Sequence, residues 1–309
     1  MRRETQEAIF FLALLTVILF PIARRHVRDY LIRPLRLRRE GMDGTVDYVP
    51  FDPAEVPEPV ARALALAAHQ LASCGFRAID HLMSRTVVAD ATTYLSGWYH
   101  DDGGDIASIM IIGFERPRPL TVGLVSIGRD FTDGSSIAVS TERFPRPILP
   151  DPRGRHIRLP EIWDLALLWE VHRRWVQRDA GERDAQVTGR GQLREYIVRD
   201  NWASLTRMVA AGWCWLNPQD ARYYYTIRGA FLTIWRQLWP LRQWRDRRDR
   251  REAEQLLRSL GFGGIDDLIR RQRPIIHDEA GGASVRIRGL PVSAPVPVGA
   301  IAPEAKRVE

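Results

Sequence analysis

Two stretches decide the fold: Ile106–Phe114, reading IASIMIIGF, and Leu120–Ile127, reading LTVGLVSI. Neither carries a charge, and both are rich in β-branched residues. Both are also too short for a buried helix, which makes them strands of one sheet. Working outward, Arg85–Tyr99 contains TTYLSGWY, and Ser136–Ser140 adds a further short strand. Asp101-Asp102-Gly103-Gly104 and Asp133-Gly134 have the composition of turns, so the expected assembly is a meandering antiparallel sheet.

Helical patterns bracket this run. In Pro59–Ser73, Val60, Leu64, Ala67, Ala68 and Leu71 share one face, and Gly75 follows as a stop. In Pro160–Gln177, Leu165, Leu168, Trp169, His172 and Trp175 recur at helical spacing, with Glu161 and Asp164 near the positive end. The fold class expected is therefore α+β, with an antiparallel-sheet domain at 59–179 flanked by helices. A polar stretch, Ala180–Gly191, leads to a mainly helical domain at 192–271, and 281–309 reads as a flexible tail. Within 245–252 the charges alternate in sign, the pattern of a solvated helix face.

The second region contains helix-forming residues from Leu193 to Val209. A hairpin follows around Asn217-Pro218-Gln219-Asp220, and then a Trp-rich helix after Gly229 that Pro240 ends or bends. This order, over 192–240, resembles the latter part of a winged-helix module, although a complete three-helix core and a diagnostic signature are absent. The resemblance implies a helix that enters a nucleic-acid groove, with Arg199, Arg207 and Arg222 forming one basic face. Trp213, Trp215, Trp235, Trp239 and Trp244 cluster in the same region. Core packing is their default reading, and Trp235 and Trp239 are candidates for an interaction surface.

At the N-terminus, a short flank at 1–7 precedes Ala8–Ala23, AIFFLALLTVILFPIA, which has no formal charge. As a helix it would extend roughly 24 Å, somewhat less than a hydrocarbon core about 30 Å thick. The expectation is a single transmembrane helix, retained as an anchor. Arg24, Arg25, Arg28 and Arg33 then lie at the membrane interface, within a basic juxtamembrane segment and linker at 24–58. Positive charge after the span places the large C-terminal region in the cytoplasm. Membrane lipid and an unidentified protein are the expected partners, with nucleic acid the less favoured one.

Signals for chemistry are sparse. The 309 residues include 7 histidines without an HExxH motif and 2 cysteines, too few for a disulfide framework or a thiolate metal site. No phosphate-binding glycine loop is present, and no cofactor or metal is expected. His100 with Asp105, and Asp130 farther along, are weak catalytic candidates because imidazole and carboxylates transfer protons. The function expected is that of a membrane-anchored cytoplasmic interaction or scaffold protein. Its alternatives are an enzyme with a polar cleft near His100 and Asp130, or a membrane-tethered winged-helix-like nucleic-acid-binding regulator.

Overall fold

A computed structural model describes residues 20, 24–44, 46–85, 91–100, 104–114, 120–142, 152–186, 192–272, 286–287 and 290–291. The chain divides into two compact units. In the described residues, the larger unit spans 46–142, 152–200 and 248 onward, and the smaller comprises residue 20, 24–44 and 201–247.

In the larger unit, the strands are β2 (Val49–Pro50), β3 (Phe76–Ser84), β4 (Ala91–His100), β5 (Asp105–Phe114), β6 (Leu120–Asp130), β7 (Ser136–Ser140) and β8 (Gly154–Arg158). They form one seven-stranded sheet in chain order. Every pairing is antiparallel except β7 with β8, which is parallel. The sheet is thus mixed where a purely antiparallel one was expected. An antiparallel return needs only a hairpin, whereas Ser140 and Gly154 are joined by a longer connection that lets β8 run the same way as β7.

Alternation along the central strands sets the two faces. Ala107, Ile109 and Ile111 of β5 and Val125 and Ile127 of β6 are fully buried on one face. Against them lie α2 (Glu58–Ser73) and α3 (Leu165–Asp179), which contribute Leu64, Leu71, Leu168 and Trp175 to the same core. Asp164 caps α3 by accepting from Ala166 N at 3.0 Å. On the opposite face, Leu82 and Leu95 pack with Tyr48 and with Leu193, the first residue of α4 (Leu193–Ala210). Gly97 permits this approach, because a Cβ there would lie 2.4 Å from a Leu193 methyl.

The main core also takes Ala253 and Leu257 of α6 (Leu241–Ser259) and Ile265 and Leu268 of α7 (Ile265–Arg271). Most of the charged run on α6 is exposed, but Asp249 is buried and paired with Arg158 of β8, each side chain being 7% exposed. Removing one partner of a buried pair strands the other charge. We expect Asp249→Ala to cost about 3 kcal/mol in urea unfolding. The double variant Arg158→Leu with Asp249→Leu should lose less than the sum of its single variants, which a mutant cycle checks.

In the smaller unit, residues 24–39 are helical, with a π-helical turn at Arg28–Ile32 leading into α1 (Arg33–Arg39). A three-stranded sheet follows in the order β1 (Met42–Asp43), β10 (Arg222–Tyr225), β9 (Cys214–Asn217), all antiparallel. α5 (Ile227–Trp235) begins at Thr226, whose hydroxyl accepts from Gly229 N at 3.0 Å. Trp235 Nε1 donates to Tyr30 O at 2.9 Å, and the Tyr30 hydroxyl donates to Trp239 O. These bonds lock helical residues 24–39 to α5 and to the segment that follows it.

The expectation of an N-terminal transmembrane helix is corrected. Among the described residues no helix is long and apolar enough to cross a membrane. Of the stretch 8–23, only Phe20 is described; the rest of that expectation lies outside the described residues. The helical residues that follow turn Tyr30 and Pro34 towards protein. Arg25, Arg28 and Arg33 gather around Asp29 at 3.7, 3.2 and 4.0 Å. The three arginine side chains remain 53–77% exposed beside it. Lipid as a partner, single-pass topology and the membrane-anchored scaffold fall with the spanning helix, as does membrane tethering of the regulator alternative.

Candidate functional site

A polar constellation on the helix-covered face centres on Asp105. This residue opens β5 in phase with Ala107, Ile109 and Ile111, so its carboxylate enters the core and requires partners. Arg129, its register partner on β6, donates through Nε at 2.9 Å and through a second guanidinium nitrogen. His172 of α3, fully buried, places Nε2 2.8 Å from the same carboxylate. That contact assigns the proton to Nε2, and Nδ1 is a buried atom without a hydrogen-bond partner. Burial opposes ionisation of Asp105, but the hydrogen bonds from His172 and Arg129 outweigh it and hold its pKa below the ordinary carboxylate value.

Rings continue the cluster. Trp169 stacks on His172 at 5.7 Å and lies 4.8 Å from the His100 ring, while Phe76 meets both Trp169 and His100 edge-on. His100 Nε2 lies 3.1 Å from Cys74 O, over Gly75. Gly75 has φ +91°, and a Cβ on it would stand only 2.9 Å from His100 Nε2, so glycine suits the turn that lets the histidine close over it. Closely packed rings around the buried, hydrogen-bonded Asp105 carboxylate make this a fixed internal strut.

The structure brings together two of the three catalytic candidates and separates the third. His100 and Asp105 flank one hairpin on the helix-covered face. Asp130, next to Arg129 on β6, points to the other face, where it hydrogen-bonds Tyr196 of α4. Burial, reinforced by Asp130, raises the Tyr196 pKa. A second polar pair on that face, His156 Nε2 and Ser140 Oγ at 2.8 Å, was not singled out from sequence. Its register signal is the parallel pairing of Ala138 with His156 and Ser140 with Arg158, which no local spacing reveals. Among the described residues, no group of three or more His, Cys, Asp or Glu is placed to hold a metal ion.

The smaller unit has a different character. Five of its tryptophans, Trp202, Trp215, Trp235, Trp239 and Trp244, are 38–65% exposed, whereas Trp213 is buried. Core packing therefore holds for Trp213 and is the wrong reading for Trp215, Trp235, Trp239 and Trp244. Trp215 stacks on Tyr224 at 5.6 Å, Trp202 meets Tyr223 edge-on at 6.3 Å, and Phe231 meets Trp235 at 5.2 Å. The segments 24–44 and 201–247 together carry 14 arginines against 5 carboxylates. The rest of the chain carries 31 basic residues against 33 acidic ones, so the surplus of positive charge resides here.

The arginines named from sequence are differently placed. Arg222 pairs with Asp43 at 3.0 Å across β10 and β1. Arg207 is half-buried on α4. Arg199 lies in the larger unit, over the Tyr196 ring at 5.8 Å. The hairpin tip is Asn217-Pro218-Gln219-Asp220, where Asp220 accepts from the Tyr224 hydroxyl at 2.6 Å. This tip carries an acid where a groove-binding wing would carry a base. Compared with protein-family models, curated proteins and solved structures, the chain matches none of them.

Proposed function

We propose that this chain is a protein-binding protein whose smaller unit carries the binding surface. The supporting observation is the exposure of five tryptophans on a unit that also holds the basic surplus. Large apolar side chains left in water are unfavourable by about 25 cal/mol per Å², and their concentration on one unit is the mark of a surface that a partner covers. Tryptophan and arginine are also the residues that anchor interfaces most strongly, through buried area and directed hydrogen bonds.

The test is quantitative capture from a nuclease-treated lysate, with the full-length chain and its Trp239→Ala, Trp244→Ala variant compared at equal loading. Removing two exposed anchors should lower retention of specific proteins at least about tenfold while the thermal midpoint stays unchanged. Equal retention by both chains would overturn the proposal, as would bound material consisting of nucleic acid when nuclease is left out.

A further inference from the structure

We infer that the helical residues 24–39 dock an acidic amphipathic helix of a partner protein; this rests on reading the smaller unit as partner-binding. Tyr30 and Pro34 face inward, held by the bonds between Tyr30 and residues 235 and 239. Outward, Val27, Leu31 and Leu35 recur every four residues, joined by Ile32, and all four are 46–53% exposed. A stripe of that spacing is the seam by which one helix receives another. Arg24, Arg28, Arg38 and Arg39 stand one, three or four positions from these residues, all exposed, and border the seam with positive charge.

That border selects the occupant. A second copy of this chain would bring the same arginines into register and repel itself, whereas glutamates beside an apolar stripe would pair with them. Nucleic acid meets the charge but not the apolar seam, since Val27, Leu31 and Leu35 offer a base no ring on which to stack.

The experiment measures anisotropy of two labelled synthetic helices against the full-length chain. Both carry leucine and isoleucine at seam positions; one has glutamate at the flanking positions, the other lysine. The glutamate peptide should bind at least about tenfold more tightly, and weaken by a similar factor between low and high salt. Leu31→Glu with Leu35→Glu should abolish binding, and Arg24→Glu with Arg38→Glu should reverse the preference between peptides. Lysate capture is read beside it: proteins retained by a wild-type chain that binds neither peptide would overturn this inference while the broader function stands. Equal binding of both peptides, retention of binding in the Leu31, Leu35 variant, preferential binding of single-stranded DNA, or dimerisation of the chain through this stripe in sedimentation would overturn it.

Discussion

Asp105→Ala is expected to lower the stability of the larger unit by about 3–5 kcal/mol, a drop in thermal midpoint on the order of 10 °C. The carboxylate is 2% exposed and serves Arg129 and His172 at once. Alanine removes the acceptor and leaves the partly buried Arg129 guanidinium and the fully buried His172 imidazole N–H without it. Circular dichroism melting measures the loss. Acid titration separates charge from shape. The native pKa of Asp105 lies below its unfolded value, so its stabilisation is fully present above the ordinary carboxylate range. It is lost as pH falls through the native pKa. The wild-type chain should therefore lose stability more steeply than Asp105→Ala as pH drops below about 4. Parallel acid limbs would contradict the role assigned to this group.

Gly229→Ala is the second large effect, and its sign is diagnostic. Alanine in a helix normally gains about 1 kcal/mol over glycine. Here the added Cβ would lie 2.0 Å from Trp213 O, a carbonyl that also accepts from Thr226 N at 2.8 Å. Backbone, unlike a flexible side chain, cannot swing away. We expect a loss of at least about 3 kcal/mol, confined to the smaller unit, with α5 detached from the β9–β10 hairpin. Hydrogen exchange followed by mass spectrometry checks this. Protection at 213–235 should collapse while the β4–β6 amides keep theirs, and a stabilised variant would refute the packing described.

The seven-stranded sheet was legible where local chemistry decides. IASIMIIGF and LTVGLVSI became adjacent strands, and the helices at Glu58–Ser73 and Leu165–Asp179 follow their apolar spacing. The parallel β7–β8 pair was not, because strand direction is set by a connection and not by the strands. The Asp105–His172 contact joins residues 67 positions apart. Its two signals were nonetheless present: an aspartate in phase with buried Ala107 and Ile109, and a histidine on the apolar stripe of α3. Either alone is ambiguous, and only the fold shows that they meet. Asp249 escaped for a similar reason, hidden in a run whose other charges are solvated. The tryptophans misled in the opposite direction, since whether an indole is covered depends on what packs above it. The apolar run at 8–23 supported an anchor on hydropathy alone, yet the described helices include none able to span a membrane.

Hydroxyl-radical footprinting of the full-length chain, alone and in the assembly it captures, tests the binding surface most directly. Trp239 and Trp244 should oxidise rapidly in the free chain and be protected severalfold in the assembly, while buried Trp175 stays slow in both. Unchanged oxidation of Trp239 and Trp244 on assembly would show that partners do not cover this surface, and the proposed function would fail.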